Sequence, residues 1–102
     1  SEIRIDITTG AFTPVSPGVS KQALYRFGDQ HTHLTRFAPG ATAEHHVHVG
    51  GEEVFVIEGT WQDDRGTYPA GTWVRFPDGS DHTPHSAEGA LLFVKRGHLP
   101  PA

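Results

Sequence analysis

The chain of 102 residues contains no cysteine and no methionine. Without thiols it has no disulfide, no thiolate metal ligand and no cysteine nucleophile, and its redox compartment is left open. Methionine is missing even at position 1, so the N-terminus is expected to be processed or trimmed. Lysine and arginine total only 8 against 12 acidic residues, which gives a formal charge of -4 and a pI near 6.0. Scattered basic residues and a negative balance point away from a nucleic-acid or anionic-membrane partner. No apolar run approaches the roughly 18 residues of a membrane span, and no basic-then-apolar leader opens the chain, so a cytoplasmic protein is expected. Helical periodicity is missing too. So are G-x-S-x-G, the P-loop, the dinucleotide G-x-G-x-x-G and H-E-x-x-H, which leaves serine hydrolase, NTPase, nucleotide-dependent oxidoreductase and zincin chemistry unsupported.

What the chain does have is punctuation. Its 12 glycines and 8 prolines separate short β-branched and aromatic runs, the pattern of an all-β barrel or sandwich. A length of 102 residues fits one domain, near the lower end of what buries an adequate core unaided, so a homodimer is expected. Ile3, Ile5 and Ile7 alternate with Arg4 and Asp6, a period-two strand with one apolar face that is expected to add to a partner's sheet. Residues 11–20, with Pro14, Pro17 and Gly18, read as an extended linker. Further strands are expected at residues 24–27, 32–37, 44–48, 53–58, 72–76 and 90–95. Residues 60–63 and 66–68 flank a hairpin turn at Asp64 and Arg65. Pro39-Gly40, Gly50-Gly51 and Pro77-Asp78-Gly79 mark turns. The consecutive Val54, Phe55, Val56 and Ile57 predict a strand covered on both faces and ended by Gly59. Residues 98–102 read as a tail. The expected organisation is an N-terminal strand and linker over residues 1–22, a barrel core over about 23–97, and that tail.

The chemistry concentrates around His46-Val47-His48. Alternate side chains of a strand share a face, so these two imidazoles aim together, with Glu52 just downstream and His82 further on. Imidazole and carboxylate donors suit Fe, Mn, Ni, Co, Cu or Zn. A buried ionised glutamate without a cation would cost several kcal/mol, so the group makes better physical sense with one divalent transition metal bound. Glu53 offers a carboxylate on the opposite face and reads as a solvated or hydrogen-bonded strand residue. His45 is expected outside.

The spacing around these residues is G-x5-H-x-H-x3-E-x6-G from Gly40 to Gly59, followed by G-x5-P-x-G-x2-H from Gly71 to His82. Together the two blocks resemble the signature motifs of the cupin superfamily. Ser86 stands where many cupins carry Asn, a difference that touches a loop contact and no ligand. The run GGEEVFVIEGTWQDDRGTYPAGTWVRFPDGSDHTPHSAEGALLFVK and the upstream RFAPGA are similar to the ChrR-type cupin domain, which forms the C-terminal half of a zinc-binding anti-sigma factor and also occurs alone. This resemblance implies a small antiparallel double-stranded β-helix, the cupin or jelly-roll barrel. The metal would lie inside, on the residues matching His46, His48, Glu52 and His82.

Two functions are compatible with it. The first is a metal-dependent oxygenase acting on a small carbonyl or enol compound, since cupins with His ligands include dioxygenases that cleave diketones and flavonols. The second is a non-enzymatic metal- or ligand-binding sensory or regulatory module like the ChrR C-terminal domain. In that family anti-sigma activity resides in an N-terminal helical zinc module with cysteine ligands. This chain lacks cysteine and begins almost at the barrel, so direct sigma-factor binding is not expected. A third reading, a dimerising scaffold with a vestigial site, is disfavoured by intact residues at all four ligand positions. No catalytic side chain is singled out beyond the ligands. Arg75, Trp73, Arg36 and His85 are candidate pocket residues, with Arg75 the first choice for an anionic substrate, and Trp61 and Phe93 could add aromatic walls. His31 and His33 read as surface or partner contacts, with pocket lining as the alternative.

Overall fold

A computed structural model describes residues 2–100. Among them there is no helix, and hence none long and apolar enough to cross a membrane. The strands are β1 (Thr13–Ser16), β2 (Val19–Phe27), β3 (Gln30–Phe37), β4 (Ala41–Thr42), β5 (His46–Val47), β6 (Glu52–Asp63), β7 (Gly66–Pro69), β8 (Trp73–Phe76), β9 (Asp81–His82), β10 (His85–Ser86) and β11 (Ala90–Arg96). The main sheet runs β1-β2-β3-β11-β6-β10-β4, with β7 and β8 also paired to β6, while β5 and β9 pair with each other. Every pairing is antiparallel, and the sheet curls into the cupin barrel.

Two cross-strand rows show how the register builds the interior. Lys21, Thr35, Leu92 and Val56 lie side by side across β2, β3, β11 and β6. The next row but one carries His31, Arg96, Glu52 and Phe76. The inner face is thus apolar at one end, where Val19, Phe37, Val56, Trp61 and Leu92 belong to the buried core, and polar at the end that reaches Glu52. Residue 36 of β3, like residues 53, 55, 73, 75 and 93, falls on the opposite parity and faces outward.

Several sequence expectations are revised. The isoleucine segment forms no strand among the described residues, and Ile3, Ile5 and Ile7 are exposed. No edge within the chain pairs with it, and Asp6 turns it by accepting from the backbone N–H and hydroxyl of Thr8. Residues 11–20 are not a linker: β1 and the start of β2 form a hairpin closed at Gly18, whose φ of 75° suits glycine. Pro14 is tolerated there because β1 is the edge of the sheet. Gly59 does not end its strand, since β6 continues to Asp63. β6 is covered on one face only over its first half, with Val54 and Val56 buried and Phe55 exposed, because a single sheet lies against the core. The expected ligand strand over residues 44–48 shortens to the two residues of β5. Residues 98 and 99 are docked, His98 against the Glu53 carboxylate and the Leu99 N–H on the Gly50 carbonyl at 2.8 Å; Pro101 and Ala102 lie outside the described residues.

Candidate metal centre

β5, the start of β6 and β9 bring His46, His48, Glu52 and His82 together, each offering a ligand atom within 4.8 Å of the others. His82 Nε2 is 2.9 Å from His46 Nε2 and 3.0 Å from His48 Nε2. Glu52 Oε2 lies 2.5 Å from His48 Nε2 and 3.8 Å from His46 Nε2. His48, Glu52 and His82 are buried and His46 is half-buried.

The second glycine-proline block explains how the loop before β6 is held. Its turn is closed by the Ser80 N–H on the Pro77 carbonyl at 3.1 Å, with Gly79 at φ 83°. The turn then clamps the first block: the Gly79 N–H donates to the His48 carbonyl at 2.9 Å, the His48 N–H to the Ser80 carbonyl at 2.8 Å, and the Gly50 N–H to Asp78 Oδ1 at 2.8 Å. Ser86, in the place of the usual Asn, still makes a loop contact, donating to the Thr60 carbonyl and accepting from the Gly89 N–H at 2.9 Å.

The protonation of the imidazoles follows from what lies behind them. His46 Nδ1 faces the Glu44 carbonyl at 3.1 Å, an acceptor only, so this nitrogen carries the hydrogen. Ser80 Oγ spends its own hydrogen on the Pro77 carbonyl at 2.6 Å, and therefore accepts from His48 Nδ1 at 2.9 Å. His82 Nδ1 faces Asp63 Oδ2 at 3.1 Å. Burial works against ionisation of Asp63, but His82, the Arg65 N–H and the Tyr68 hydroxyl outweigh it and hold the carboxyl below its ordinary value. Tyr68 is pushed up to about 12 by burial and by that same carboxylate. All three Nδ1 atoms are thus donors, and all three Nε2 atoms present bare lone pairs to one another and to Glu52 Oε2, a buried oxygen with no conventional hydrogen-bond partner. Burial also lowers the proton affinity of His82, against the pull of Asp63. Four lone pairs converging in a buried place repel unless a cation lies between them, so the donor set fits a divalent metal ion. Burial disfavours the Glu52 carboxylate, yet His46, His48 and Arg96 keep it ionised.

Phe76 and Trp61 wall the cluster, with ring centroids 4.7 and 5.5 Å from that of His82. On its open side lies a cavity of about 240 Å³. Both His46 and Glu52 line it, together with Lys21, His33, Thr35 and Arg96. The four pocket residues expected from sequence do not. Arg36 faces the other side of the sheet and stacks over Phe12 at 5.0 Å. Arg75 and Trp73 sit cross-strand from Glu53 and Phe55 on the outer surface, where Trp73 is exposed. His85 pairs across from Gln62, one residue out of phase with the inward-facing Trp61 and Asp63. Phe93 is exposed, whereas Trp61 does line the cavity. His33 takes the alternative role of lining, while His45, expected outside, is exposed and bonded to Thr83 and Asp81 but also borders the cavity. Asp63 and Ser80, which orient His82 and His48, carried no signal beyond their places in turns.

Comparison with known proteins agrees with this architecture. A family model described as the ChrR cupin-like domain matches residues 1–100. No curated protein matches the chain. Among solved structures, a protein of unknown function with a cupin-like fold from Ralstonia eutropha superposes with a TM-score of 0.82 at 20% identity, covering 94% of this chain and 67% of that one. An acetylacetone dioxygenase from Acinetobacter johnsonii gives 0.80 at 17% identity, over 94% and 72% of the two chains. The complex of Rhodobacter sphaeroides SigE with the anti-sigma ChrR gives 0.80 at 19% identity, over 89% of this chain and 50% of the other. At these identities the likeness shows the fold alone, and this chain spans half of the one matched in the SigE–ChrR complex.

Proposed function

The chain belongs to the family of ChrR cupin-like domains, and from that premise we propose that it holds one divalent transition metal on His46, His48, Glu52 and His82 and acts as an oxygenase-like centre on a small carbonyl or enol compound. The observation that carries this reading is the convergence of four ligand atoms at the edge of a cavity. An ion held there would supply Lewis acidity and redox capacity. The protein's own part is to orient and to exclude water. Asp63, Ser80 and the Glu44 carbonyl fix the three imidazole tautomers, in the way that outer hydrogen bonds tune metal-bound histidine generally. His48 and His82 are shut off from solvent, while His46 and Glu52 face the cavity, so a ligand in the cavity meets the cluster from one side.

The likeness to the SigE–ChrR complex favours a second reading, a metal-holding sensory module without turnover. The two part at the metal. Elemental analysis of protein purified without added metal should return one divalent ion per chain, and chelation should lower the melting temperature. Metal bound only by the folded form adds about 4 kcal/mol when free metal is a thousandfold above Kd. His82→Ala should lose both the ion and the chelator sensitivity; full stoichiometry and an unchanged melting point in this variant would refute the ligand set. With iron or manganese bound, acetylacetone should then perturb the optical or magnetic spectrum of the ion. A four-coordinate tetrahedral ion indifferent to such chelators would leave only the sensory module.

A further inference from the structure

We propose that the cavity beside the cluster is built for a small organic carboxylate, its charged end held by Lys21 and Arg96 and its apolar body against the core side of the barrel. The inference rests on the metal reading for the orientation of the ligand, though not for its charge.

The two cations arrive from different strands. Lys21 stands on β2 across from Thr35, and Arg96 on β11 lies directly across from Glu52. Both line the cavity, and neither forms a salt bridge among the described residues. Among the described residues the cavity-lining carboxylates are Glu44 and Glu52, and the second belongs to the cluster. Arg96 Nε is buried and has no hydrogen-bond partner among the described residues. The same is true of Trp61 Nε1, on another residue of the lining. These two atoms are closed off from solvent and do not themselves meet a ligand, so the charge available to one comes from the parts of the Lys21 and Arg96 side chains that line the cavity. Burial and the charge of Arg96 also lower the proton affinity of Lys21, against a smaller pull from the Glu52 carboxylate. Thr35 adds a hydroxyl beside them.

Beside Ser16, Glu44, His33 and His45, part of the wall is apolar, with Val19, Phe37, Leu92 and Val94 facing the same space. An inorganic anion would leave that surface wet, whereas a short organic acid covers it. A cavity of about 240 Å³ has room for roughly eight waters at liquid density, and so for an acid of about that many non-hydrogen atoms. Arginine and lysine together suit a carboxylate, the first through paired N–H donors and the second as a point charge.

The test uses zinc-loaded, isotope-labelled protein and three probes: 2-oxobutyrate, its uncharged isostere 2-oxobutyramide, and inorganic phosphate. Saturable shifts of the backbone amides of Lys21, Thr35 and Arg96 are expected with 2-oxobutyrate, with affinity at least about tenfold weaker for the amide and for phosphate. Lys21→Met and Arg96→Lys should each lose about tenfold for the acid, with zinc stoichiometry unchanged. Arg96→Lys keeps the charge and so guards against a merely unfolded variant. Equal binding of acid and amide, equal binding of phosphate, or no saturable shift in protein carrying one zinc per chain would overturn the carboxylate and leave the metal centre standing. Saturable, charge-dependent binding in protein that takes up no zinc would do the reverse.

Discussion

His33 shows how far a neutral imidazole can be displaced by its surroundings. It is 5% exposed, and burial, reinforced by Lys21, pushes its pKa down to about 3 from 6.5. The folded value lies below the unfolded one, so the unfolded chain takes the proton first. The neutral ring therefore contributes its full stability above about pH 6.5 and loses it progressively as pH falls, down to about 3. Between pH 7 and pH 5 the loss from this residue is about 2 kcal/mol. Urea unfolding of chelator-treated protein at the two pH values should show it, and His33→Gln should flatten the dependence by that amount. An identical pH dependence in the variant would mean that His33 is hydrated or already charged in the folded state. Lys21 and Arg96 matter at this scale for the same reason: their low-dielectric surroundings magnify any charge placed between them.

β6 is the element on which the molecule turns. Its first half pairs with β11 and β8 and carries Glu52, while its second half pairs with β7 and β10 and carries Trp61 and Asp63. The change of partners happens at Gly59, with φ at 75° and a Cβ position 2.0 Å from the Gly89 carbonyl oxygen. β11 shifts register beside it, between Leu91 and Leu92. A side chain there is opposed both by the backbone conformation and by the packed neighbour strand. Gly59→Ala should therefore cost about 3 kcal/mol or more in urea unfolding. Gly40→Ala, at φ 82° but with nothing within 4 Å, should cost only the conformational part, about 1–2 kcal/mol. Equal losses in the two variants would show that the β6 corner yields and that the bulge does not hold the two halves of the strand in place.

The whole molecule has a radius of gyration of 13.1 Å, close to the roughly 13 Å of a compact domain of this length. It nevertheless leaves Ile3, Ile5 and Ile7 at 54, 43 and 39% exposure, and β1 has a free outer edge. We propose a homodimer in which this segment adds to the sheet of a second copy, gaining the pairing that its own chain does not supply. Sedimentation at tens of micromolar should show the dimer, and removal of residues 1–10 should weaken association. A full-length monomer at that concentration would dispose of the idea.

Glycine and proline are local instructions whose consequences were legible in part, although Pro14, Pro17 and Gly18 read as a linker where β1 and β2 form a hairpin, and Gly59 as a strand end where β6 continues. The turns at Pro39-Gly40 and Pro77-Asp78-Gly79 and the β6–β7 hairpin follow from residues within a few positions of one another, while the group of His46, His48, Glu52 and His82 was read from two separate blocks alongside the cupin motifs. Which other side chains share the inner face was not legible. Strand parity alternates with every residue, so a single bulge or a one-residue shift of register exchanges the two faces. Arg36 and Arg75 were the cationic pocket candidates, and Lys21 and Arg96 were not among them, until pairing put the first two outside and the second two in the cavity. Asp63 and Ser80 reach their histidines only because separate strands are brought together by the fold. Local chemistry determined the turns and, with the cupin motifs, pointed to the four clustered side chains; the long-range register of the sheet, which no short stretch of chain encodes, decided the pocket.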